Sequence, residues 1–143
     1  ARRRNVAGTF QLQIVSADRS IVDETVDEAQ IPGAEGYFGV LPGHTPLLAL
    51  LGTGELWYRQ GSETHYVALS NGFAEVQPDR VTILAQIAER ADEIDVARAE
   101  AAKRRAEERL SSTQSDVDFE RARVALMKSL IRLQVASRTR IRS

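Results

Sequence analysis

The sequence predicts an α+β chain, with an N-terminal antiparallel β-sandwich of about eight to ten strands over residues 1–90 and a C-terminal antiparallel two-helix hairpin over 91–143. Three observations carry this. All nine glycines and all four prolines lie at or before Pro78. The tract after it, rich in Ala, Arg, Glu and Leu, is open to long helices, because glycine and proline cost a helix interior about 1 and about 3 kcal/mol relative to alanine. Before Pro78 the chain instead runs in short alternating segments bounded by turn formers, and seven of the eight aromatic residues fall there, which places the main core in that part.

Thr9 to Val15 alternates polar and apolar residues, the period of a strand with one buried face. Val26 to Ile31, Tyr37 to Leu41, Leu47 to Leu51, Glu55 to Arg59, Glu63 to Ser70, Phe73 to Gln77 and Arg80 to Ile87 are the further strand segments. This spacing fits an antiparallel sandwich or barrel. Asn71-Gly72 supplies two positive φ angles and predicts a type I′ hairpin between Tyr66–Ser70 and Phe73–Gln77. Pro78-Asp79 predicts a type I turn, after which Val81, Ile83, Ala85 and Ile87 are expected to line one face of the last strand.

Asp92 to Leu110 is built from strong helix formers, and its acidic start suits the positive end of the helix dipole. Ala99, Ala102, Ala106 and Leu110 recur at helical spacing. Ser111 to Asp116 interrupts the pattern, and Ser115 with Asp118 resembles an N-terminal cap for a second helix over Val117 to Arg138. So short a connection folds the helices back antiparallel. The second helix carries Phe119, Ala122, Leu126, Leu130 and Leu133 on one stripe and Val124, Met127, Ile131 and Val135 on another. An alanine-faced partner cannot cover both stripes, so the hairpin is expected to be marginal alone and to dock on its own sandwich, on another subunit, or on each in turn.

Composition excludes several function classes. There is no cysteine, and two isolated histidines form no metal-ligand pattern, so disulfide, thiol and structural zinc chemistry are not expected. No stretch approaches the roughly 18 apolar residues of a membrane span, and Arg2-Arg3-Arg4 is not followed by the apolar region of a signal peptide. The chain therefore reads as cytosolic, and the start at Ala1 is expected to reflect either a removed initiator methionine or an artificial edge of the sequence. Seven basic and eleven acidic residues over 1–91, against twelve and nine over 92–143, leave the two parts at −4 and +3. Neither part shows the unmixed basic surface of a nucleic-acid binder.

Two segments stand out as candidate sites. Gly33 to Leu48 places four glycines and two prolines around Tyr37, Phe38 and His44, which fits either two tight turns flanking a short strand or a loop that presents a ring to a partner. His44 has no Ser or Asp companion nearby, so no catalytic residue is assigned. On the helices, Arg98 and Arg105 share one face, and Lys128 and Arg132 share another. If those faces meet, four cations converge on a site suited to phosphates, with Asp95 and Glu89 at its edge; otherwise they form a solvated charged face. There is no glycine-rich phosphate loop or Walker lysine, so a bound nucleotide would be sensed and not hydrolysed.

From residue 9 to about residue 138 the chain resembles the epsilon subunits of the F-type proton-translocating ATP synthases. The resemblance is carried by Gly36-Tyr37-Phe38-Gly39-Val40-Leu41-Pro42-Gly43-His44-Thr45-Pro46-Leu47-Leu48, by Ser70-Asn71-Gly72-Phe73-Ala74-Glu75-Val76, and by Asp92 to Ala99. It implies a non-catalytic rotor subunit whose sandwich binds the gamma stalk and sits on the c-ring, at the cytoplasmic face of the bacterial inner membrane. It also implies a helical tail that switches between a folded hairpin and an extended form reaching the alpha and beta subunits and inhibiting ATP hydrolysis. Ile94-Asp95-Val96-Ala97-Arg98-Ala99 matches the Ile-Asp-x-x-Arg-Ala motif through which some bacterial members bind ATP.

By the same resemblance Glu89, Arg105, Lys128 and Arg132 belong to that nucleotide site, with ATP a regulatory ligand and no cofactor required. Lys128 stands where such members have arginine, keeping the charge without the planar fork. Tyr37, Pro42, Gly43 and His44 are implied to face the c-ring, although relatives often carry an acidic residue at the Tyr37 position. Arg138, Arg140 and Arg142 either meet acidic segments of the beta subunits or form a solvated terminus. A free-standing ATP-sensing module is the alternative reading of the whole chain.

Overall fold

The computed structural model describes residues 8–112 and 115–141, with the side chains of 140 and 141 excepted. The expectations for Arg2 to Arg4, Arg140 and Arg142, and the middle of the interhelix connection, lie outside the described residues. Seven strands, β1 (Phe10–Val15), β2 (Ser20–Val26), β3 (Glu28–Gly33), β4 (Gly36–Val40), β5 (Leu47–Gln60), β6 (Glu63–Gln77) and β7 (Arg80–Arg90), precede a 3-10 turn at Ala91–Glu93. Helices α1 (Val96–Ser112) and α2 (Asp116–Ile141) follow. No described helix is long and apolar enough to cross a membrane.

The strands form a β-sandwich from one hydrogen-bonded sheet in the order β2-β1-β7-β6-β5-β3-β4. All neighbours are antiparallel except β1 and β7, which pair in parallel. The core between the layers is apolar, with Phe10, Leu12, Ile14, Ile31, Leu56, Leu69 and Ile83 fully buried in it.

Three strand expectations need correction. The predicted Asn71-Gly72 hairpin does not exist: β6 runs straight through it, paired with β5 on one side and β7 on the other. The local geometry was nevertheless legible, since Asn71 has φ 60° and Gly72 φ 132°. A Cβ at Gly72 would collide with the Leu84 carbonyl oxygen, so close strand packing as well as φ demands glycine. The segments on either side of Gly52 likewise join into one long strand, β5, while β2 was not anticipated because adjacent Ile21 and Val22 are both buried, which breaks strict alternation.

At this level the burial phase of the three long strands switches while their pairing register is kept. In β6, Val67 and Leu69 point into the core before Asn71-Gly72, and Ala74 and Val76 point into it afterwards. In β7 the same switch buries Val81, Ile83 and Ala85 but turns Ile87 outward, against the expectation that all four share the core face. Thus the outer surface has two parts. One presents the cross-strand row Leu50–Phe73–Leu84, which is open to solvent, and the other is the seat of the helical hairpin.

α2 packs on β5, β6 and the 3-10 turn, and α1 packs against α2. Close approach of the helices is allowed by small residues, with Ala99, Ala106, Ala122 and Ser129 buried. α1 begins later than expected. Asp92 and Glu93 form the 3-10 turn, and Asp95 caps α1 by accepting the Arg98 backbone N–H at 3.0 Å. The Ser115 cap forms as anticipated, its hydroxyl accepting the Asp118 N–H at 3.1 Å.

Candidate functional site

The phase switch that turns Thr53, Ser70 and Ile87 outward creates the floor of a cleft beneath the hairpin. Its volume is ≈ 440 Å³, and its walls are Glu89 of β7, Arg98 and Ala102 of α1, and Ala125, Lys128, Ser129 and Arg132 of α2. That size falls within the usual range of small-ligand sites. Arg132 donates from Nε to one Glu89 carboxylate oxygen at 2.7 Å and from a terminal nitrogen to the other at 3.1 Å, a bidentate pair. Among the described residues Arg98 and Lys128 form no ion pair, so two cations face the cleft uncommitted. Thr53 and Ser70 share a hydroxyl hydrogen bond of 2.9 Å on its floor.

Of the residues expected at a phosphate site, the fold therefore brings together Glu89, Arg98, Lys128 and Arg132. Ile94 lies instead in a small second core with Ala68, Val135 and Ala136, and Ala99 is fully buried against α2. Asp95 serves as the α1 cap. Arg105 is exposed and outside the cleft wall, about 10 Å further along α1 than Arg98 at 1.5 Å per residue. Thr53, Ser70 and Ser129 were not anticipated. Their only local signal is a small hydroxyl residue near a glycine or within an apolar helix stripe, which has many other uses.

A second charged cluster holds the far end of α2. Glu55, 7% exposed, accepts two hydrogen bonds from Arg138, at 2.9 and 2.8 Å, and one from Gln134 at 3.2 Å. The Arg138 guanidinium also lies 4.8 Å from the centre of the Tyr66 ring, a cation–π distance. Hydrogen bonding to Glu55 raises the pKa of Arg138 above its ordinary value. At the root of the hairpin, Arg19 in the β1–β2 loop donates to both oxygens of Glu93 at 3.1 Å, which lowers the Glu93 pKa.

The other candidate segment lies on the sandwich. Gly33 and Gly36 pair across a tight turn, and Gly43 at φ 84° takes part in a second one, so the bland reading of the glycine-rich stretch holds for its backbone. Pro42, Gly43 and His44 wall a shallow cleft with Glu28, Gly39, Leu41 and Thr45. The His44 ring is held to the Thr45 carbonyl at 2.6 Å, and the Gly43 N–H donates to the Pro78 carbonyl at 2.7 Å. Tyr37 does not join them. Its ring lies over Gly54 and its hydroxyl accepts the Glu55 N–H at 3.1 Å, filling the gap where β3 parts from β5.

The β-sandwich domain of the ATP synthase delta/epsilon chain family matches residues 9–91, and the long α-helix domain of that family matches residues 92–137. The ATP synthase epsilon chain of Syntrophobacter fumaroxidans is 49% identical over 134 residues, 94% of this chain and 100% of its own length. The epsilon chain of Koribacter versatilis is 54% identical over 108 residues, 76% of each chain. A chain of the Euglena gracilis mitochondrial ATP synthase, solved as OSCP/F1/c-ring, superposes with a TM-score of 0.78 at 26% identity, covering 94% of this chain and 84% of that one. The chain therefore belongs to the ATP synthase delta/epsilon chain family, as an epsilon chain, a stalk subunit that is not one of the catalytic subunits.

Proposed function

We propose that the chain couples the rotor of a bacterial ATP synthase and restrains ATP hydrolysis through its helical hairpin, with ATP in the cleft favouring the docked hairpin. The observation that carries this reading is the cleft itself. Its walls come from the sheet and both helices, and Arg98 and Lys128 face it without ion-pair partners among the described residues. A polyphosphate bound there touches the hairpin and its seat at once, and a ligand that binds one state better shifts the population towards that state. Glu89 and Arg132 neutralise one another, leaving the other two cations to meet the phosphates.

The sandwich supplies the partner surfaces in this reading. The solvent-open row Leu50–Phe73–Leu84 is an apolar face suited to the gamma stalk, with Leu50 72% exposed. Pro42, Gly43 and His44 form the side turned to the c-ring, and the released α2 reaches the alpha and beta subunits. In this reading the chain sits peripherally on the cytoplasmic face of the inner membrane.

The test is ATP hydrolysis by a catalytic core lacking this subunit, to which the full chain or residues 1–91 are added. The short form retains the main core, whose buried members all lie between Phe10 and Ala88. Suppression by the full chain alone, relieved as ATP rises, is the expected result. If both forms bind the core and neither suppresses hydrolysis, the inhibitory role fails. If neither form binds, the free-standing ATP sensor becomes the better reading.

A further inference from the structure

The seat beneath α2 contains a row of three residues directly opposite one another on adjacent strands: Glu55 of β5, Ala68 of β6 and Glu89 of β7. Strands lie about 4.8 Å apart, so the backbones carrying the two carboxylates are separated by roughly 10 Å, with a small residue between them. α2 presents Arg132, Val135 and Arg138 at three-residue intervals, a span of about 9 Å along a helix. The two sets meet in order. Arg132 pairs with Glu89, Val135 packs into the cluster containing Ala68, and Arg138 pairs with Glu55.

We infer that the Glu55–Ala68–Glu89 row is a docking template that reads Arg132–Val135–Arg138, and that Glu55 is its latch, holding the hairpin down with no ligand bound. The inference rests on the proposed mobility of the hairpin, but the latch itself is separate from the nucleotide cleft. Glu89 lines that cleft, whereas neither Glu55 nor Arg138 does. Glu55 is suited to the task because a carboxylate is tolerated at a buried position only with charged partners, and among the described residues its side-chain hydrogen-bond partners, Gln134 and Arg138, come from α2. When α2 leaves, water reaches Glu55 and solvates it. Removing Arg138 therefore drives release of the helix and leaves the sandwich, whose main core does not include Glu55, intact.

Hydrogen exchange on the isolated full-length chain without nucleotide tests the latch. Glu55→Gln and Arg138→Ala should each accelerate exchange of the amides of residues 131–138 by about tenfold or more, equivalent to about 1.4 kcal/mol. The β7 amides of residues 81–88 should stay unchanged, and Arg138→Lys, which keeps the charge but not the fork, should fall between wild type and Arg138→Ala. Unchanged exchange in α2 for both variants overturns the latch. Equal acceleration in α2 and β7 also overturns it, because Glu55 would then be supporting the sandwich. Exchange is read without the synthase, so a failed latch and a failed inhibitory role are told apart by this measurement and the hydrolysis assay.

Discussion

The sandwich and the hairpin are held by different physics. Inside the sandwich, side chains from all seven strands interdigitate in one apolar core, and residues such as Leu12, Ile31 and Ile83 have no exposed surface. The hairpin touches the sheet through a much smaller cluster, centred on Val135 and Ala68, and is fastened at the edges by carboxylate–arginine pairs. Apolar burial of the first kind is lost only when the sandwich unfolds. A few ion pairs and a small apolar contact of the second kind can be given up without opening the sandwich core, as the proposed docking and release of the hairpin requires. The unoccupied apolar surface of α2 points the same way, with Val117, Phe119, Met127 and Leu130 exposed.

This contrast can be broken most forcefully from the core side. Ile83→Ala empties a fully buried site and should lower global stability by about 3 kcal/mol in denaturant titration, with sheet and helices lost together. Loss of helical signal alone would refute the assignment of Ile83 to the sandwich core. A smaller effect sharpens the other side. Lys128→Arg restores a planar fork in the cleft and should tighten ATP binding by about tenfold in calorimetry, within the range of one added charge-assisted hydrogen bond. Unchanged or weaker binding would place the phosphates away from Lys128.

The smallest effect lies at the root of the hairpin. Arg19 holds Glu93 below the ordinary carboxylate range, chiefly through its hydrogen bonds. A depressed carboxylate contributes stability above its unfolded pKa and loses it as pH falls through the folded value. Acidification below the ordinary carboxylate range should therefore loosen the 3-10 turn, with only a slight change because both side chains are substantially exposed. Titration of the Glu93 carboxyl by NMR in wild type and Arg19→Ala checks this, the variant being expected to titrate at higher pH.

Much of the molecule was written in local patterns. The alternation of Thr9 to Val15, the Pro78-Asp79 turn, the Ser115 cap and the tract free of glycine and proline each depend on residues a few positions apart, so the sequence by itself determined a strand-rich part followed by two antiparallel helices. It also determined the cation pair Lys128 and Arg132, since four-residue spacing puts both on one helix face. Asn71-Gly72 marks the limit of such reasoning. Its positive φ angles were predictable, but whether they turn the chain back or twist a continuous strand was decided by β5 and β7 pairing along both sides. That twist moved Ile87 outward with Thr53 and Ser70 and made the cleft floor. Only the tertiary structure could also place Glu55 opposite Arg138, 83 positions away, because the match depends on the spacing between strands meeting the rise of a helix, two lengths that no local pattern brings together.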